Sequence, residues 1–238
     1  MKKQIITTVA IFIIASMNFV QAQSLDDILK KHFKAVGQDK LATAKTFYLK
    51  AELSQMGMVL PMEMRMKRPD KFRVEMEMQG QKMIQAYDGV NGWMVAPWIS
   101  PDPQVLEGEQ LKEAMKQADL EGELYKYKEK GHTVEFVGKV SVDGKETYKI
   151  KLTNKDGSIK NYFIDAGTDL IVKVKTKISA QGQDIDIEQN LSDYKDFDGV
   201  KMATKMVSTT PMGDVSISIV EFKVNESFDE AIFKQPGK

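Results

Sequence analysis

MEMRMKRPDKFRVEMEM, residues 62–78, decides the fold. Met62, Met64 and Met66 alternate with Glu63, Arg65 and Lys67, and Phe72, Val74, Met76 and Met78 alternate with Lys71, Arg73, Glu75 and Glu77. A period of two puts successive side chains on opposite faces of a strand, so each run has one apolar and one charged face. Arg68-Pro69-Asp70 between them reads as a turn, which makes the two runs antiparallel neighbours whose apolar faces coincide.

The same period extends outward on both sides. Upstream, Phe47, Leu49, Ala51 and Leu53 share a face opposite Tyr48, Lys50 and Glu52. Before that strand, Ser24 reads as an N-cap, Asp26 and Asp27 suit a first helical turn, and Leu25, Ile28, Leu29, His32, Phe33 and Val36 fall at helical spacing until Gly37 stops them. Residues 40–44 read as a short second helical turn. Downstream, strands are expected over 83–87 and 93–96, after which Pro97, Pro101 and Pro103 break regular structure. Leu111, Ala114, Met115 and Ala118 then mark an amphipathic helix, and 122–130 a second short helical piece. From Thr133 the pattern is strand after strand, separated by turns at Asp143-Gly144, Asp156-Gly157, Ala166-Gly167 and Gln181-Gly182, with a last junction at 211–213. The count is roughly eleven strands, in one large antiparallel sheet of mainly β (α+β) class.

Bulk properties bound the function. MKK, the apolar run ITTVAIFIIAS and Val20-Gln21-Ala22 form a cleavable export signal, with cleavage expected after Ala22 and a single domain over 23–238. The apolar run is shorter than the ~20 residues of a membrane span, and the absence of cysteine excludes a lipid-attachment thiol, disulfides and thiolate metal sites. Cleavage takes away Lys2 and Lys3 and no acid, leaving 32 Lys and Arg against 34 Asp and Glu, a balance that speaks against a nucleic-acid partner.

Catalytic signals are weak. His32 and His132 stand alone, without metal-ligand spacing, and Asp184 and Asp186 alternate with isoleucines as a solvated strand face does. No nucleophile elbow, P-loop or dinucleotide fingerprint is present, so no catalytic residue, metal or cofactor is expected. The methionines are the positive signal. Seven of the thirteen outside the leader lie between Met56 and Met78, a stretch without isoleucine. Met is unbranched and polarisable, and is over-used where a surface accepts partners of varied shape, although ordinary core would alternate in the same way. Trp93 is expected to extend that apolar face. With Leu111 and Met115 of the amphipathic helix as a cover, the result would be a hydrophobic trough.

Lys67-Arg68-Pro69-Asp70-Lys71-Phe72-Arg73, followed by Tyr87-Asp88-Gly89, Gly92-Trp93 and Pro97, resembles the pattern of LolA-type periplasmic lipoprotein carriers and, more broadly, of outer membrane lipoprotein-sorting proteins. Residues 193–200, Phe228-Asp229, Phe233 and Pro236 are similar to the ends of that group. The resemblance implies an incomplete antiparallel barrel wrapped over lid helices, with an acyl-binding cavity between them. It also implies that Arg68 latches the lid by hydrogen bonds and that Phe72 and Val74 line the cavity. The implied function is a periplasmic carrier or binder of lipid acyl chains or lipidated proteins, not itself membrane-spanning or lipid-anchored. Met62, Met64, Met66, Phe72, Val74, Met76, Met78, Trp93, Leu111 and Met115 would form its wall, and membrane-bound donor or acceptor proteins would be further partners. Two alternatives stand beside it: an envelope interaction or sensor module of the same fold that binds a protein, and a hydrolase whose carboxylates converge from distant strands.

Overall fold

Alternation dominates the architecture of the computed structural model, which describes residues 24–119, 121–180, 183–210 and 213–237. The expected leader and its cleavage site lie outside these residues. Thirteen strands among the described residues form one antiparallel sheet that does not close into a barrel. In chain order they are β1 (Thr46–Gln55), β2 (Met58–Lys67), β3 (Lys71–Met78), β4 (Gln81–Tyr87), β5 (Gly92–Ala96), β6 (Ser100–Leu106), β7 (Thr133–Val142), β8 (Lys145–Thr153), β9 (Ile159–Asp165), β10 (Ile171–Ala180), β11 (Gln183–Phe197), β12 (Val200–Thr210) and β13 (Gly213–Val224). Their spatial order is β6-β5-β4-β3-β2-β1-β13-β12-β11-β10-β9-β8-β7, so β1 and β13 join two meanders at the middle.

Register fixes the faces. Met66 pairs with Phe72 and Phe47, Met64 with Val74 and Leu49, and Met62 with Met76 and Ala51, which makes one apolar concave surface. The opposite surface carries Tyr48, Arg65 and Arg73 in a row, with the Arg65 guanidinium 5.2 Å from the Tyr48 ring centroid.

Helices fill the concavity. In α1 (Leu25–Val36) the Ser24 side chain accepts from the Asp27 amide at 3.1 Å, and Ile28, Leu29 and His32 are buried. Ile28 and Leu29 pack with Val134, Tyr148, Ile150, Leu152 and Ile164 of the C-terminal meander. Gly37 ends the helix at φ 70°, and a Cβ there would collide with the Gly199 carbonyl oxygen, so the corner into α2 (Gln38–Thr43) needs glycine on both counts. The third helix, α3 (Gly108–Gln117), sets Ala114 on Met62, Phe72, Val74 and Tyr87 of the N-terminal meander, with Ala118 just beyond the helix in the same cluster.

Two expectations are corrected. The prolines after residue 97 do not end the sheet, because β6 is an edge strand on which Pro101 and Pro103 need no amide on the outer side. Residues 122–130 form turns and not a helix.

Candidate functional site

Between the two meanders the concave face is left partly uncovered. A cavity of about 350 Å³ lies there, lined by Phe47 and Leu49 of β1, Met64 and Met66 of β2, Met202 of β12 and Phe222 of β13. Leu41 of α2 and Asp119, Glu121 and Gly122 of the segment after α3 complete its walls. The volume falls within the ~300–1,000 Å³ range of small-molecule sites, and apolar side chains form most of the surface.

Arg68, in the β2–β3 turn, spans the rim. Its Nε donates to the Ala44 carbonyl at 2.7 Å, Nη2 to the Leu41 carbonyl at 2.7 Å, and Nη1 to Glu121 Oε1 at 3.1 Å. The planar fork of donors lets one side chain hold the end of α2 and the segment after α3 together. Gln38 of α2 is buried, and its Nε2 donates to the Glu121 carbonyl at 3.0 Å. Asp119 and residues 121–123 therefore act as a strap, tied to the N-terminal meander through Glu121.

The strap is tied to the other meander as well. Glu123, two residues on, accepts from Lys160 Nζ at 2.7 and 2.8 Å and from the Tyr162 hydroxyl at 2.7 Å, both on β9. Burial, reinforced by the Glu123 carboxylate, pushes the Tyr162 hydroxyl well above its ordinary pKa, so it stays a donor. Lys130 holds Asp119 at 2.6 and 2.7 Å and the Gly122 carbonyl at 2.8 Å. Lys116 of α3 reaches Asp156 in the β8–β9 turn at 3.1 Å, and its hydrogen bonds to Glu113 and Asp156 push its pKa up to about 12.

The residues expected as wall separate into groups. Met64 and Met66 line the cavity. Met62, Phe72, Val74, Met76 and Leu111 pack with α3 as core, Phe72 and Val74 among the buried residues. Met78 pairs with Gln81 at the far end of its strand, outside both the cavity lining and that cluster.

Trp93 does not extend the methionine face. It pairs with Ala86, which pairs with Arg73, so it belongs to the charged row. There it is 1% exposed, lies under the Arg73 guanidinium at 5.5 Å, and donates through Nε1 to the Phe233 carbonyl at 2.8 Å. The C-terminal 3-10 turn Glu230–Phe233 covers it. Met115 is 52% exposed on the outer side of α3, because the helix turns its smaller Ala114 and Ala118 stripe inward. Asp186 is exposed, and His32 is buried with its Nδ1 2.9 Å from the Asp169 carbonyl, as a structural histidine would be.

Leu41, Phe47, Leu49, Met202, Phe222, Asp119, Glu121 and Gly122 were not anticipated as lining. The alternation of β1 and β13 carried part of that signal, since Phe47 and Leu49 share a face with Phe222 in register. No described helix is long and apolar enough to cross a membrane.

No protein-family model and no curated protein matches the chain. Solved structures do. A DUF1329 family protein from Desulfovibrio piger superposes with TM-score 0.62 at 16% identity, covering 87% of this chain and 97% of that one. A LolA superfamily protein from Nitrosomonas europaea gives 0.58 at 14% identity over 88% and 96% of the two chains. An outer membrane lipoprotein-sorting protein domain from Vibrio parahaemolyticus gives 0.58 at 12% identity over 87% and 97%. The chain thus shares its fold with a LolA superfamily protein and with an outer membrane lipoprotein-sorting protein domain.

Proposed function

We propose that this protein is a non-enzymatic periplasmic carrier that shelters acyl chains of lipids or lipidated proteins and hands them toward the outer membrane after its leader is removed behind Ala22. One observation carries the reading: an apolar cavity of about 350 Å³, walled by Met64, Met66, Phe47, Leu49, Met202 and Phe222, whose rim is closed by the three bonds of Arg68. Each sheltered CH₂ contributes about 0.8 kcal/mol, so six to eight of them supply roughly 5–6 kcal/mol. Release then requires an opposing term. Parting the Arg68 bonds opens the rim, and the unbranched methionines can repack over the vacated space.

The test is native mass spectrometry of protein purified from its own envelope, followed by incubation of the loaded form with outer-membrane vesicles. An acyl-bearing molecule bound one to one, and its movement to the vesicles, are expected. Protein that arrives empty and takes up no fluorescent acyl probe would rule the carrier out. A guest that is bound but never transferred would leave a binding role only.

A further inference from the structure

We infer that a second surface, the groove between α1 and residues 124–129, docks the protein on the anionic head groups of a lipid membrane. The groove measures about 760 Å³ and shares no lining residue with the cavity. Its floor is apolar, with Leu29 and Leu124 buried and Phe33, Tyr125 and Tyr127 half-buried. Phe33 and Tyr125 meet edge to face at 5.4 Å.

The rim is cationic. Lys30 and Lys34 of α1 and Lys126 and Lys128 opposite them are all exposed and line the groove. Among the described residues none of the four forms an ion pair, in contrast to Lys67, Lys116, Lys130 and Lys160. Lys126 and Lys128 instead rest on the rings of Tyr125 and Tyr127, at 5.5 and 5.6 Å. Three carboxylates also line the groove: Asp26, Asp39 and Glu129. Four lysines against three acids leave the groove with one positive charge in excess.

The combination selects the partner. Half-buried rings interleaved with free lysines, as in Tyr125-Lys126-Tyr127-Lys128, match the region where hydrocarbon gives way to phosphate: rings sit at head-group depth and lysine stems lie along them. A nucleic acid would need a larger and more continuous cationic surface than this nearly neutral chain offers. The docking surface is independent of what the cavity holds, and an empty cavity would leave it standing.

The experiment is co-sedimentation of the leader-free protein with vesicles of phosphatidylcholine alone and of equal parts phosphatidylcholine and phosphatidylglycerol. Binding is expected only to the second and is expected to weaken as salt is raised. Each lysine near an anionic surface is worth about fivefold, so Lys126→Gln with Lys128→Gln should lower partitioning roughly 30-fold. Lys50→Gln with Lys205→Gln, two exposed lysines on distant strands, should leave it nearly unchanged. Equal binding to both vesicles, or equal losses in the two double variants, would overturn the inference. So would displacement by inorganic phosphate beyond that of sodium chloride at matched ionic strength, which would mark a free-anion site instead.

Discussion

Replacing Arg68 by Leu tests the rim directly. The guanidinium makes two charge-assisted bonds to main-chain carbonyls and one to Glu121, and its side chain is 26% exposed. The two carbonyl bonds contribute about 1.5 kcal/mol each. The partly exposed pair adds about 1 kcal/mol after solvent screening. Water reaching the vacated carbonyls returns part of this, leaving about 2–3 kcal/mol of closure, which is roughly 30- to 150-fold in the ratio of closed to open rim. Because opening limits escape of a guest more than its entry, stopped-flow dissociation of a fluorescent acyl probe should accelerate by that order while association changes little. Arg68→Lys keeps the charge but not the fork, and should fall between the two. If Arg68→Leu keeps its circular dichroism and unfolding midpoint yet releases the probe within about twofold of the parent rate, the latch reasoning fails.

Filling the cavity with Met66→Trp should abolish stoichiometric probe binding with little loss of stability, measured by titration and urea unfolding; undiminished capacity would move the guest elsewhere. Phe72→Ala, at a fully buried core position, should cost about 3–5 kcal/mol of unfolding free energy, and a cost under about 1 kcal/mol would show that α3 does not pack there as described. Burial holds His32 below its ordinary pKa of 6.5, partly opposed by the Asp169 carbonyl. The unfolded chain then binds a proton first as pH falls, so stability should decline below about pH 6.5 and keep declining until the folded pKa is reached. His32→Gln should flatten that slope between about pH 7 and pH 5 in denaturant titrations, and an unchanged slope would refute the assignment.

Much of the sheet was legible because residues 62–78 carry their own register: a three-residue turn sets Met66 opposite Phe72, and strict alternation then fixes both faces. The edge strand β6 was not, since prolines argue against a strand until its edge position is known. Trp93 was misplaced for want of parity, because nothing in 88–91 says whether Gly92 or Trp93 faces Tyr87, and the covering turn at Phe233 lies 140 residues away. The Met115 position shares a stripe with Leu111 and Ala118, and only the close approach of α3 to Gly92 and Leu106 selects the narrower alanine side. The strap was the least visible element. Residues 122–130 read as a short helical piece, and the partners of Glu121 and Glu123, Arg68 and Lys160, are far off in sequence.

Glu121 and Glu123 stand two residues apart yet fasten to opposite meanders, one through Arg68 and the other through Lys160 and Tyr162. The curvature of the sheet and the position of the strap are therefore a single mechanical variable: flattening the half-barrel stretches one short bowstring. On the carrier reading, the girth of a guest is limited both by how far that bowstring yields before an acid lets go and by the bulk of the side chains beneath it.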